Sequence, residues 1–574
     1  MATVTDQDRF FSGELSASLN EELVSEGTLQ RLINGRFVEG AISNALGYDE
    51  LNFTFIPRKR DNHLGDTPFT SPIKHQTLLE QGDVQLVAPM DNIAGKFIVA
   101  VISGSLYELD VDTLEARDIT PIDAFLPESS EGYQLSFTDN DGGTLGVGGY
   151  LVIFNYPNKS IIINQIGARL ANPGNYEVPP SRMGATGGSR MAIISGDNLM
   201  YVSDPLGGAE SLAPLTFKET LDPNSTYYDQ IFTIGSALDI EYVTSVNRIP
   251  RYMSASQDFL AQQLLVSTTN RKYLIGIASS RDTWEQTQFI TYIGSTDGVA
   301  GPSAATNVGD VIVYTSTGGR IKAIGQDQQR ESSLSETFMD DPLGQYLCLC
   351  ETNFYFRDWY DTLDHSRSIM SFIKDRLYCT VYPIKVPAIG KYGEEISSPT
   401  FRAMAVASLD SSSKLGPSAS LSWESFYDWI NPIGLVTIRD KLYIVSKDEY
   451  GRITYHVENR DKVDTHNTVI YTRGYFANTP GQSRSILKGS LFFRRLAGTV
   501  GIKISYLIDN EWICGTDCKT NKKLFKFSFM KSKCKTDNWS VPLKIEIIHN
   551  GCRFELQSIR VVGEVHREEK KISG

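Results

Sequence analysis

Residues 440–445, Asp-Lys-Leu-Tyr-Ile-Val, place a polar turn residue ahead of an apolar run mixing Leu, Tyr and β-branched side chains. A run this short, bounded by turn formers, reads as a short strand. The cue recurs as Gly104-Ser-Leu-Tyr-Glu-Leu-Asp, Gly149-Tyr-Leu-Val-Ile-Phe, Asp197-Asn-Leu-Met-Tyr-Val-Ser-Asp, Gln263-Leu-Leu-Val-Ser, Asp310-Val-Ile-Val-Tyr-Thr and Asp375-Arg-Leu-Tyr-Cys-Thr-Val. Measured between Leu106, Leu151, Leu199, Leu264, Val311, Leu377 and Leu442, the steps are 45, 48, 65, 47, 66 and 65 residues. A step near 45 fits one four-stranded propeller blade of about 40–50 residues, and the longer steps leave room for inserted loops. Residues 97–109 and 442–457 each read as strand, turn, strand, the hairpin a blade is built from. The expected fold is all-β, a β-propeller of about six to eight blades over residues 76–466. Its alternative is a stack of antiparallel sheets with coincidental spacing.

Outside that region the pattern changes. Residues 1–75 read as an extended N-terminal arm with little core of its own, expected to wrap something, often a neighbouring subunit. Asn34-Gly35 is a turn signal within it. Residues 467–566 carry longer strands, among them Gly501-Ile-Lys-Ile-Ser-Tyr-Leu-Ile, Leu524-Phe-Lys-Phe-Ser-Phe-Met and Leu543-Lys-Ile-Glu-Ile-Ile. Their alternation puts apolar side chains on one face and charges on the other, which predicts a C-terminal antiparallel β-sandwich. Residues 567–574 are expected to be a polar tail.

The chain has 574 residues, 41% of them hydrophobic and 21% charged, which excludes a disordered or fibrous protein. The formal charge of −13 is unevenly spread. Residues 467–574 hold 19 Lys and Arg against 9 Asp and Glu, leaving 36 against 59 for residues 1–466. A +10 body joined to a −23 body points to separate partners, or to subunits that dock the acidic part of one on the basic part of the next. The N-terminus has no apolar stretch, no run approaches 18 apolar residues, and the seven cysteines are scattered. No secretory signal, membrane-spanning segment or disulfide scaffold is therefore expected, and the cysteines are expected reduced.

Signals for chemistry are weak. The seven histidines show no metal-ligand spacing, and the G-x-S-x-G, P-loop and dinucleotide glycine motifs are missing. His365 lies beside Asp361 and Asp364 in a stretch that reads as a blade connection. Cys514, Cys518, Cys534 and Cys552 fit no zinc-ribbon spacing, and Asp139-Asn-Asp-Gly-Gly lacks the Glu that closes a calcium loop. No catalytic residue, metal or cofactor is expected. The candidate interface residues are Trp359, Tyr360, Trp423 and Trp429, from two aromatic groups, and Lys519, Lys522, Lys523 and Lys526, from a run of seven lysines in residues 519–535. The aromatics could anchor a partner or stack sugars, and the lysines could meet phosphate or an acidic neighbour.

From Tyr201-Val-Ser-Asp-Pro the chain resembles the tail nozzle and packaged-DNA stabilisation propellers of short-tailed bacteriophages. The likeness continues in order through Gln257-Asp-Phe-Leu-Ala, Thr269-Asn-Arg-Lys-Tyr-Leu-Ile, Gly301-Pro and Gly309-Asp-Val-Ile-Val-Tyr-Thr-Ser-Thr-Gly-Gly-Arg-Ile. Ser25-Glu-Gly with Asn34 and Gly40 also resembles how those chains enter the propeller. Coverage is best over residues 190–324, and these motifs specify strands and carry no catalytic residues. The resemblance implies a virion component made in the host cytoplasm. Six copies would form a tube below the portal and adaptor rings, beside other tail proteins, retaining packaged DNA and conducting it without tight binding. A carboxylate-lined passage would repel phosphates and suit that role. The alternative function is a glycan-binding or glycan-cleaving propeller used in host recognition, which a glycan array or hydrolysis assay would separate from an assembly part.

Overall fold

The computed structural model describes residues 2–9, 11, 29–57, 72–92, 95–129, 135–140, 150–164, 167–187, 190–205, 215–235, 241–249, 262–277, 281–284, 290–293, 297–308, 311–324, 331–333, 365–381, 403–409, 421–448, 450–475, 483–508, 511–529, 535–536 and 541–566. Among them the chain is all-β, and seven sheets follow one another along it. The first pairs Val84–Asn92, Gly95–Ile102, Ser105–Asp110 and Glu115–Asp118, with Thr54–Phe55 added outside; the second pairs Ser136–Asn140, Tyr150–Phe154, Ile161–Asn164 and Gly167–Leu170. The third pairs Met183–Gly187, Arg190–Ser195, Leu199–Val202 and Phe232–Thr233, and the fourth Val243–Arg248, Gln262–Thr268, Lys272–Ile277 and Ile290–Ile293. The fifth has Ala305–Val308, Val311–Thr315, Ile321–Ile324 and Glu331–Ser333, and the sixth begins with Met370–Ile373, Arg376–Val381, Ala403–Leu409 and Leu421–Tyr427. The seventh joins Pro432–Ile438, Lys441–Lys447 and Ile453–Val463 to Leu46–Leu51, so a strand from the start of the chain completes the last sheet.

Each of the seven recurring cues falls in a different sheet. In three sheets the cue follows a two-residue turn: Lys374-Asp375 and Arg439-Asp440 join the first and second strands of the sixth and seventh sheets, and Ser103-Gly104 joins the second and third of the first. Lys374, Arg439, Ser103 and Gly104 all have positive φ, the left-handed backbone such a tight reversal needs. The cue marks the third strand in the first and third sheets and the second strand elsewhere. Its uneven spacing thus reflects strand position as well as loop length.

Second strands such as Tyr150–Phe154 and Val311–Thr315 are buried on both faces, so their runs are continuously apolar. Leu151 and Ile153 pack toward the first sheet while Val152 and Phe154 pack toward the third. Ile312 and Tyr314 face the fourth sheet, and Val311 and Val313 the sixth. Seven apolar clusters fill the seams between consecutive sheets, and one of them joins the seventh to the first through Val436, Tyr443 and Val445 against Val87, Ile98 and Tyr107. Glycine sets the approach at that seam: a Cβ on Gly434 would stand 2.6 Å from both Val87 Cβ and Cγ2. The helix Pro72–Gln81, which the strand pattern does not foretell, buries His75 and Leu79 on the same seam, where Tyr455 Oη donates to Leu79 O at 3.1 Å.

The strands of the first 75 residues pair within the chain instead of lying free for a neighbour. Leu29–Ile33 runs parallel to Leu421–Tyr427 and antiparallel to Thr468–Thr472, so the sixth sheet continues through Leu543–Ile548 and Val500–Ile508 to Glu511–Thr520 as one nine-stranded sheet. Asn34-Gly35 is not a hairpin turn. Asn34, at φ 51°, is the corner where the chain leaves that sheet for another, and the hairpin turn lies at Glu39-Gly40 between Gly35–Val38 and Ala41–Asn44. The second C-terminal sheet combines this hairpin with Ala2–Asp8, Phe554–His566, Ser483–Leu496, Leu524–Ser528 and Lys535–Thr536. Leu491, Phe493, Phe525, Phe527, Leu556 and Ile559 of this sheet share a core with Ile470, Ile502, Ile504, Leu543, Ile545 and Ile547 of the other. Residues 567–574 lie outside the described residues.

Candidate functional site

The four candidate lysines lie along one short stretch where the chain passes between the two C-terminal sheets. Lys519 ends Glu511–Thr520, Lys522 and Lys523 occupy the following turn, and Lys526 lies on Leu524–Ser528; all four are exposed. The exposed-buried alternation of Leu524–Ser528 buries Phe525 and Phe527 and turns Leu524, Lys526 and Ser528 outward. Sheet pairing adds residues the sequence pattern does not single out. Ser490 faces Lys526 on one side and Arg560 on the other, Lys488 faces Ser528, and Phe492 faces Leu524. Lys488 and Arg560 are exposed, so this sheet face carries cations around the apolar pair Phe492 and Leu524. None of these six cations forms an ion pair among the described residues. Clustered positive charge of this kind favours an anionic neighbour.

Trp429 sits elsewhere, at the junction between the seventh sheet and the C-terminal sheets. Its Nε1–H donates to Asp464 Oδ2 at 2.9 Å, and its ring stacks on His466 with centroids 4.3 Å apart. Asp464 Oδ1 in turn lies 2.6 Å from His466 Nδ1, and Tyr48 and His456 meet Trp429 edge-on. Asn34 Nδ2 donates to Asp428 Oδ1 at 2.8 Å and to Asn467 O at 3.2 Å, tying the arm to both sides. His549 is fully buried nearby; it accepts at Nδ1 from Gly551 N at 3.2 Å, and burial lowers its pKa below the ordinary histidine value. Trp429 is thus half-buried in a structural joint and is not brought together with the lysines. Trp423 lies on Leu421–Tyr427 with its backbone opposite Ala407. Trp359 and Tyr360 lie outside the described residues.

The arm is clamped by a buried ion pair. Arg473 Nε donates to Asp8 Oδ1 at 2.9 Å and Nη2 to Asp6 Oδ1 at 2.7 Å, while Tyr475 Oη donates to Asp8 Oδ2 at 2.7 Å. Asp8 and Tyr475 are both fully buried. Between the third and fourth sheets, Glu219 bridges Arg190 and Arg281, each at 2.6 Å, and both guanidiniums lie over Trp284. These networks are satisfied within the fold and hold its parts together.

The other chemical candidates are dispersed. His365 packs against Gly319, and the carboxylates Asp361 and Asp364 lie outside the described residues. Cys514 and Cys518 are exposed, Cys552 is half-buried beside Gly498, and Cys534 lies outside the described residues. Asp139 and Asn140 pair with Leu151 and Tyr150, so the start of that segment closes an antiparallel strand pair. Among the described residues no helix is long and apolar enough to cross a membrane.

The architecture defines an all-β protein of many sheets. Among solved structures the chain is similar to BamB from Moraxella catarrhalis, at 10% identity and a TM-score of 0.29, covering 65% of this chain and 93% of that one. It is also similar to a chain of the mitotic checkpoint complex, at 10% identity and a TM-score of 0.35, covering 69% of this chain and 97% of that one. No family model and no curated protein matches the sequence.

Proposed function

We propose that the seven sheets form a closed seven-bladed β-propeller carrying a C-terminal β-sandwich, and that the protein is a structural part of a short-tailed bacteriophage tail. In this reading six copies form a nozzle or hub below the portal and adaptor, retaining packaged DNA and conducting it during ejection. The observation that carries the reading is the packing of the seventh sheet on the first, sealed by the N-terminal strand Leu46–Leu51. It supports the propeller that the phage resemblance implies, and the Tyr201 segment falls on the third sheet and the Thr269 segment runs into Lys272–Ile277 of the fourth. A ring welded to its C-terminal sheets by nine continuous strands suits a load-bearing part of a tube.

The described first strands of the sheets carry only Asp91, Asp139 and Arg248 as charged residues, so an acidic passage would be built from loops between copies and not along the axis of one ring. Cryo-EM of the purified full chain tests the reading. The expected result is a six-fold tube whose inner wall is carboxylate-rich; a particle that stays monomeric in all conditions, or a lysine-lined lumen, would count against it.

A further inference from the structure

We propose that the outer face of strands Ser483–Leu496 and Leu524–Ser528 docks on the 122–128 loop of a second copy of this chain. Phe492 and Leu524, 39% and 47% exposed, are cross-strand neighbours on that face. Lys488, Lys522, Lys523, Lys526 and Arg560 surround them without an ion-pair partner among the described residues. An apolar centre inside a charged rim is the anatomy of a protein interface, and a duplex backbone offers nothing for the apolar pair.

The complementary surface lies between the first and second sheets. Ile122 and Phe125 are 62% and 68% exposed. Tyr156 joins them, since Asn155 Nδ2 donates to Phe125 O at 2.5 Å. Asp123 and Glu128 on the same loop are exposed and form no ion pair among the described residues. The two surfaces thus match in apolar content and oppose in charge, in line with the +10 and −23 bodies of the chain.

One copy cannot close this contact on itself. One C-terminal sheet continues the sixth sheet, and the seventh and first sheets stand between the sixth sheet and the 122–128 loop. The contact is therefore head-to-tail, which generates a ring where the rotation closes. This inference rests on the oligomeric reading above.

The test uses the full chain as two charge-reversed variants, Lys522→Glu/Lys523→Glu/Lys526→Glu and Asp123→Lys/Glu128→Lys, with mass photometry at low and high salt. The wild type should assemble and loosen as salt rises. Each variant alone should associate about a hundredfold more weakly. An equimolar mixture should assemble again, because each reversed surface then meets an opposite one, and misfolded variants could not produce that rescue. Wild-type assembly with unaffected variants, or weakened variants with no rescue on mixing, would overturn the docking surface and leave the oligomeric reading standing. A wild type monomeric at every salt concentration would remove both. Loss of duplex-DNA binding by the lysine variant with assembly unchanged would reassign the face to nucleic acid.

Discussion

Closure of the ring can be tested at a single pair of residues, Gly434 in the seventh sheet and Val87 in the first. Alanine at position 434 would place its Cβ 2.6 Å from two carbon atoms of Val87 and 2.9 Å from a third. Carbon atoms pack at about 3.5–4.0 Å, so roughly 1 Å must be found between two buried strands. Overpacking of this kind costs about 1–3 kcal/mol. Val87→Gly removes all three crowding atoms and is itself destabilising by about 2–4 kcal/mol, from lost burial and glycine's extra backbone entropy. The double variant moves a methyl group from one strand to the other across the seam. It should be less destabilised than the sum of the singles by about 1–3 kcal/mol. The assay is unfolding followed by tryptophan fluorescence on the wild type, both singles and the double. Additivity within about 0.5 kcal/mol would mean the two strands do not touch, and the closed ring would be refuted.

Three further outcomes are expected. Arg473→Ala leaves the buried Asp8 carboxylate without its cation and should lower stability by about 3–5 kcal/mol, with limited proteolysis freeing the Ala2–Asp8 strand first; a neutral effect would show that the arm is not clamped there. Burial lowers the pKa of His549, so the unfolded chain binds a proton before the folded one does. Stability is therefore complete above about pH 6.5 and falls as pH drops from there toward the folded value, by at most about 1.4 kcal/mol per pH unit; His549→Gln should flatten a plot of Tm against pH between 5 and 7, and an unchanged slope would contradict this. Burial pushes the Cys379 thiol up to about 12, whereas Cys514 and Cys518 are exposed. A thiol reagent followed by peptide mass spectrometry should modify the latter two in the native protein and reach Cys379 only on unfolding.

Much of the candidate site could be read from the alternation in Leu524-Phe-Lys-Phe-Ser, because a period of two assigns faces without knowledge of neighbours. Lys488, Arg560 and Phe492 could not be read that way. They reach the same surface only through the pairing of Ser483–Leu496 with Leu524–Ser528 and Phe554–His566. Trp429 misled for a related reason: an aromatic cluster along the chain does not say whether its rings meet solvent or, as with Asp464 and His466, a partner brought in from another strand.

Local chemistry alone specified the strands, since apolar runs bounded by Asn, Asp and Gly suffice to mark short strands, and one such cue falls in each of the seven sheets. The sequence also carries a shift of charge and strand length near residue 467. What only the tertiary structure decided is which strands are neighbours. Leu46–Leu51 completes the seventh sheet, Leu29–Ile33 joins the sixth sheet to the C-terminal strands, and Val87 meets Gly434, all contacts between residues far apart in the chain. Strand pairing draws on backbone groups that every residue shares, so partner choice is set by the shape and burial of the whole assembly and leaves little trace in any one segment.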